Sequence, residues 1–167
     1  INTLAVRLNP GRWGELLDFY GGRQDLEDGI IRVLHSLSFV EDPTRILRAA
    51  RFEQRFHFRT DPRTEELIAD ASGLLERISA ERVRHELELI MAEAEPERVS
   101  CRLAEMGVLA SLHPDLAGDA GLLRIAAELR AQYAAVKNPN GESPPAMEIA
   151  FDAAPRLQMA LMTYRLP

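Results

Sequence analysis

The stretch VEDPTRILRAARFEQRF, residues 40–56, places four arginines directly behind an acidic pair and a proline. A carboxylate beside a guanidinium can read a nucleobase: the carboxylate accepts from an exocyclic amine, and the arginine donates to a ring nitrogen or carbonyl. Arg45, Arg48, Arg51 and Arg55 are spaced three, three and four residues apart, so on a helix they descend one broad polar flank. That flank has two readings, a solvated helix face or a surface for a polyanion or base. Glu41 and Asp42 stand at the helix start, where negative charge is favoured and where Asp42 can also serve as a cap.

Other chemistry-bearing residues are sparser. Asp18 and Asp25 flank Gly21-Gly22, which suits a turn-stabilising pair or a two-carboxylate cation site, and Arg32 is near enough in sequence to pair with either. The glycine pair is not a phosphate loop, because no lysine-hydroxyl end and no dinucleotide fingerprint follows it. Arg82, Arg84 and Glu86 sit at helical spacing, where a local salt network is the plain expectation. His35, His57, His85 and His113 are scattered without metal-ligand spacing, and there is no Ser/His/Asp relay, Cys/His pair or HExxH. No catalytic residue and no metal ligand is therefore assigned.

The 167 residues are 46% hydrophobic and 28% charged, as in a globular protein with a real core. A formal charge of −6 argues against indiscriminate adhesion to nucleic acid but leaves room for a local basic patch. Lys137 is the only lysine, so nearly all positive charge is arginine, the side chain suited to bidentate contacts. Cys101 is the only cysteine, which excludes an intrachain disulfide and points to an intracellular, cytoplasmic setting. No apolar run reaches transmembrane length, and no membrane partner is expected. The sequence opens at Ile1, in strand-like residues, as a fragment of a longer chain would.

The elements that must position these residues follow from period and punctuation. Residues 3–8 and 16–20 read as strands of a hairpin across NPGRWG, residues 21–29 as a glycine-bounded turn or short helix, and 30–34 as a further strand. Helices are expected after Asp42-Pro43 and after Asp61-Pro62, the second burying Leu67, Ala71 and Leu74. The first has a mostly apolar side made of Ile46, Ala49, Ala50, Phe52, Glu53 and Phe56. Ser79 is expected to cap a third, with Val83, Leu87, Ile90 and Met91 inward; a fourth runs from Pro96 to about Met106 and stops at Gly107. Further helices are expected near 119–136 and after a linker at 137–145.

Taken in order, these segments resemble the class II, bacterial-type tRNA nucleotidyltransferase and poly(A) polymerase family, the CCA-adding enzymes and their relatives. INTLAVRL resembles the end of the motif RRDFTINALA, DFYGGRQDLEDGIIRVL resembles DxxGGxxDLxxxxIR, and EDPTRILRAARFEQRFHF is close to EDPxRxLRAxRFxxRFxF. ISAERVRHELELIM matches the RxxxE helix that follows. The ordered likeness covers about residues 1–91, with a looser one through EMGVLASLHPDL.

The resemblance implies a mainly α-helical neck and body preceded by a short β remnant of an α+β nucleotidyltransferase head. Residues 1–36 would be that remnant, 37–94 the base-reading neck, and 95–167 an incomplete helical body. Asp42 and Arg45 would present a protein-side template to ATP or CTP. Asn2, Glu41, Arg82 and Glu86 would support that motif, Thr3 replacing the usual alanine after Asn2. Asp18, Gly21, Gly22, Asp25 and Arg32 would form the head-neck hinge, while Arg48, Arg51 and Arg55 are candidate RNA-phosphate contacts. The family's DxD carboxylates, which hold Mg2+, would precede Ile1. The expected function is part of a template-independent enzyme adding AMP and/or CMP to the 3′ end of tRNA or another RNA. The missing N-terminal catalytic segment of the parent would be a partner, Mg2+ would belong to the complete enzyme, and this chain alone would be inactive. A non-catalytic helical RNA-binding or assembly module is the alternative.

Overall fold

The computed structural model describes residues 3–113 and residue 128. The chain folds as a mainly α-helical body preceded by small β elements. β1 (Leu4–Val6) and β2 (Leu16–Asp18) pair antiparallel, Leu4 opposite Asp18 and Val6 opposite Leu16. The turn between them is closed by Arg7 and Gly14–Glu15 backbone bonds, and both Gly11 and Gly14 take left-handed φ. α1 (Gly22–Glu27) follows at once.

β3 (Ile30–Ile31) is shorter than the expected strand over 30–34, and it does not extend the hairpin. It pairs in parallel with β4 (Arg59–Thr60), through Arg59 N–H to Gly29 O and Asp61 N–H to Ile31 O. Two separate two-stranded sheets result among the described residues. A short helix, α2 (Ser38–Glu41), precedes the arginine-rich helix and has no counterpart in the sequence expectations.

α3 (Thr44–Phe56) is the centre of the fold and packs on α5 (Ala80–Met91) and α6 (Pro96–Glu105). Its Ile46, Leu47, Ala49 and Ala50 are buried, whereas Phe52 is half-buried and Phe56 is exposed at 44%, stacked instead on Phe52. α3 ends in a Schellman turn, Phe58 N–H reaching Glu53 O while His57 adopts a left-handed φ of 54°.

α4 (Pro62–Ala71) starts as expected at Asp61, whose carboxylate accepts from the backbone N–H groups of Arg63 and Thr64. Its buried face is Thr64, Ile68 and Ala71, continuing to Leu75 in the 3-10 turn Ser72–Arg77; Leu67 and Leu74 are only half-buried. Ala71 is buried as expected, but Ile68 and Leu75 take the places expected of Leu67 and Leu74, and Thr64 turns inward, donating its hydroxyl to Asp61 and accepting from Val33 N–H. Ser79 leads into α5 with extended backbone, but its side chain makes no capping bond. α6 ends as Gly107 takes a left-handed φ of 71°, and α7 (Val108–Leu112) returns Val108 and Leu109 to the core.

One apolar cluster joins Ile31, Phe39, Ile46, Leu47, Ile68, Leu75, Ile90, Val99, Leu103 and Leu109, so the core is continuous across the expected division at 94/95. Of the helix expected near 119–136 only residue 128 is described, as helical, and the helix expected beyond 145 lies outside the described residues. No helix among the described residues is long and apolar enough to cross a membrane.

Candidate functional site

Asp42 sits at the joint between α2 and α3, where an extended φ of −148° turns its side chain toward the new helix. One carboxylate oxygen, Oδ1, accepts from Thr44 N–H at 3.1 Å, from Thr44 Oγ1 at 2.7 Å and from Arg82 Nη2 at 2.9 Å. Asp42 thus accepts from the first amide of α3 as expected, but Pro43 stands at the N-cap position, one residue ahead of the helix, rather than in its first turn, and Arg82 is added from 40 residues away. Partial burial pushes the Asp42 carboxyl up, but the Thr44 bonds and the Arg82 charge outweigh it and hold the pKa below the ordinary value. Asp42 is thus ionised at neutral pH, with Oδ2 named in none of these bonds.

Asp42 and Thr44 form one rim of an open cleft of about 430 Å3, lined also by Arg48 of α3 and by Glu81, Arg82, Arg84, His85, Glu86 and Glu88 of α5. Arg45 is not in that lining. Its Nη1 donates to Ser38 O at 3.2 Å and lies 3.6 Å from Glu41 Oε2, which also meets His35 Nε2 at 3.7 Å. The structure therefore brings Asp42, Arg48, Arg82 and Glu86 together and parks the Arg45 guanidinium on α2.

The remaining arginines of α3 divide by depth. Arg51 is 8% exposed, its guanidinium 3.8 Å from Glu86 and 3.4 Å from Glu93 and lying over the Phe52 ring. Arg55 donates to Glu93 at 2.8 Å with its side chain 45% exposed. Arg51 is consequently an internal clamp with no face left for a phosphate, while Arg48 borders the cleft and Arg55 stays partly at the surface.

The Gly-Gly segment forms a second, separate constellation. Asp18 accepts from the backbone N–H groups of Tyr20, Gly22 and Arg23, and the Arg23 and Gly22 bonds hold its carboxyl below the ordinary value. Gly21 needs a left-handed φ of 74°, and a side chain on Gly22 would collide with Thr3. Arg32 pairs with Asp25 rather than with Asp18. Both carboxylates are thus satisfied by protein donors. Among the described residues no group of three or more His, Cys, Asp or Glu is arranged to hold a metal ion. Asn2 lies outside the described residues.

Sequence reasoning missed Thr44, Glu93 and a buried pair behind α3. Glu53 was read as part of an apolar side; its Oε2 accepts from Thr60 Oγ1 and from Arg102 Nε, each at 3.0 Å, and Arg102 also reaches Glu65. Thr44 was legible as the hydroxyl two residues after a capping Asp. Glu93 lies 42 residues from Arg51 and Arg102 49 from Glu53, so neither ion pair carries a local signal. Cys101 is half-buried, and burial with Glu105 and Glu97 nearby pushes its thiol up, away from a reactive thiolate.

Comparisons with known proteins bear on this geometry. Residues 57–119 match a family described as the probable RNA and SrmB-binding site of polymerase A. The A-adding tRNA nucleotidyltransferase of Geobacter sulfurreducens is 46% identical over 132 residues, covering 78% of this chain and 15% of that one. The corresponding enzyme of Halalkalibacterium halodurans is 41% identical over 116 residues, 67% of this chain and 27% of its own. A solved CCA-adding enzyme in complex with ATP superimposes with a TM-score of 0.73 at 44% identity, over 84% of this chain and 34% of that chain. The chain thus spans well under half the length of these relatives. The Asp42 joint, the arginine-rich α3 and the Arg82–Glu86 face of α5 lie where the family motifs run, and with these likenesses they show that the chain belongs to the class II tRNA nucleotidyltransferase family.

Proposed function

We propose that this chain is the nucleotide-reading and RNA-facing helical part of an enzyme that adds AMP and/or CMP to tRNA 3′ ends without a nucleic-acid template. The observation that carries the reading is the Asp42 carboxylate, fixed by Thr44 and Arg82 at the rim of an open cleft with Arg45 on the next turn. Adenine and cytosine both present an exocyclic amine beside an unprotonated ring nitrogen. Guanine and uracil present a carbonyl beside a ring N–H. With the carboxylate facing the exocyclic group and the guanidinium facing the ring nitrogen, the first pattern is matched, whereas the second sets carbonyl against carboxylate and N–H against guanidinium.

Arg45 must leave Glu41 to take part. That pair is solvent-exposed and 3.6 Å long, and such pairs contribute only about 0.2–1 kcal/mol. Glu41 therefore holds Arg45 near Asp42 without committing it. The solved relatives include a CCA-adding enzyme with ATP and another with CTP, and the Thermotoga maritima CCA-adding enzyme complexed with tRNA. Those complexes support ATP, CTP and an RNA end as partners of the complete protein. Mg2+ and the transfer chemistry are assigned to the rest of that protein.

Isothermal titration of the chain with each of the four nucleoside triphosphates tests the reading. ATP or CTP should bind, GTP and UTP should not, and Arg45→Ala and Asp42→Ala should each abolish the preference. Equal affinities for all four, unchanged in Arg45→Ala, would sink it.

The match over residues 57–119 favours a second reading, a helical RNA-binding module without base selection. That stretch holds seven arginines against fourteen acidic residues, so few phosphates can be neutralised there. RNA affinity should fall only shallowly with salt if base reading dominates, and steeply if the arginines of that stretch, together with Arg48 and Arg55 just ahead of it, bind mainly phosphate.

A further inference from the structure

The α3 and α5 segments meet along a ladder of ion pairs whose polarity inverts at one end. Asp42, just ahead of α3, takes Arg82 of α5 at 2.9 Å. Further along, Arg51 faces Glu86 at 3.8 Å and Glu93 at 3.4 Å, and Arg55 holds Glu93 at 2.8 Å. The pairs advance together along both segments, so the two helices run in the same general direction. The first rung has its acid on the α3 side, and the later rungs have theirs on the α5 side, Glu86 within the helix and Glu93 two residues past its end at Met91.

That inversion makes the register unique. A slip of α5 by one turn, about four residues, would set Glu86 against Asp42 in one direction and Arg82 against Arg51 in the other. Both slips oppose like charges. Only the observed register gives every rung opposite signs. The later rungs are also the buried ones: Arg51 and Glu93 have side chains 9% and 8% exposed, Glu86 11%. Arg51 Nε and Glu86 Oε2 find no hydrogen-bond partner, so the Arg51–Glu86 rung is attraction without a directional bond. Glu93, bonded to Arg51 through one oxygen and to Arg55 through the other, is the rung with directional hold.

We propose that Glu93, acting with Arg51 and Arg55, is a positioning residue that sets the register of α5 on α3 and so holds the Arg82 guanidinium on the Asp42 carboxylate. Its bearing on nucleotide choice rests on the base-reading role given to Asp42 above. None of the family motifs quoted for this chain extends to Glu93. The ladder transmits to Asp42 through Arg82, one turn before Glu86 on the same face of α5.

The test follows the titration of the Asp42 carboxyl by carbon-detected NMR of the 167-residue chain, over acid pH. His85, Arg48, Glu81, Arg84, Glu86 and Glu88 share the cleft with Asp42, and each variant keeps all of them. Glu93→Gln should move the Asp42 titration up toward the ordinary carboxylate value, as Arg82→Ala does. The double variant should add little to Arg82→Ala alone, because both act through one contact. Asp61, held by Thr64 and Arg63 outside the ladder, should not move. A Glu93→Gln chain that melts earlier while Asp42 titrates unchanged makes Glu93 a structural support only and overturns the proposal. Arg55→Gln, at a half-exposed position, carries the same test if Glu93→Gln does not fold: a smaller upward move is expected, and no move overturns it.

Nucleotide binding by the same variants separates this inference from the base-reading one. A moved Asp42 in a wild-type chain that binds no ATP or CTP removes the base-reading role and leaves the ladder. Nucleotide binding with an unmoved Asp42 removes the ladder and leaves the base-reading role.

Discussion

In β1, β2 and α1 no described side chain reaches the core, and Trp13, Phe19 and Tyr20 stand 63–77% exposed; α3 alone buries seven residues. The first region is held by short-range bonds. Asp18 binds three amides within five residues, and Arg7 pairs with Glu15 across the hairpin turn. The second is held by apolar burial and by pairs that span about a quarter of the chain, Asp42 with Arg82, Arg51 with Glu93 and Glu53 with Arg102. Local bonds shape a segment without anchoring it. Long-range pairs do both, and they are where the candidate site was built.

Phe39→Ala should break the helical region most severely. Phe39 is 1% exposed, and truncating a buried phenylalanine costs about 3–5 kcal/mol. Urea unfolding followed by circular dichroism measures it, and a loss below about 1 kcal/mol would mean that the α2 segment does not close this core. The equivalent change in the hairpin, Trp13→Ala, should fall within about 0.5 kcal/mol, because Trp13 is 74% exposed.

Arg102→Met sharpens the comparison from the polar side. It leaves Glu53, 6% exposed, with Thr60 as its remaining bonded partner, and breaking a buried pair from one side costs about 3–5 kcal/mol. Replacing Glu53 and Arg102 together by leucine and methionine should recover much of that loss, since no buried charge is then left alone. The same unfolding midpoints decide between the two outcomes.

Smaller effects belong to the caps. Asp61→Ala should cost about 0.5–2 kcal/mol by orphaning the first amides of α4. Asp42 and Asp61 both have folded pKa values below 3.8, burial pushing up and hydrogen bonds to Thr44 and Thr64 winning. A group depressed on folding stabilises fully above its unfolded value and loses that contribution as pH falls through the folded one. Their stabilisation is therefore complete at neutral pH and is lost only below about pH 4. Stability measured from pH 7 to pH 2 should fall at the acid end, and less steeply in Asp61→Ala. Gly21→Ala, at φ 74°, should cost about 1–2 kcal/mol of local strain. It should loosen α1 in hydrogen exchange while leaving the protection of α3 amides unchanged, which tests the independence of the two regions.

Much of this architecture was legible because its signals are local. The hairpin, both Asp-Pro helix starts and the stop at Gly107 follow from caps, turns and left-handed glycines acting over a few residues. β3 was overread, since its neighbour across the sheet is β4, some 29 residues on, and pairing length is set there. Ile68 and Leu75 were passed over for Leu67 and Leu74 because a stripe one residue out is nearly as apolar, and only the docking of Thr64 on Val33 chooses between them.

For the site, residue types and spacing by themselves determined that an acid at the helix entrance, Asp42, stands three residues before an arginine in the first turn, Arg45, because that relation is set by the local chain alone. Tertiary structure decided the rest. It set Arg82 on Asp42, turned Arg45 onto Ser38 and Glu41, buried Arg51 between two glutamates of another segment, and opened the cleft beside Arg48. An arginine's spacing puts it on a face, but which charge meets it there depends on a second helix whose register is fixed by contacts distant in the chain.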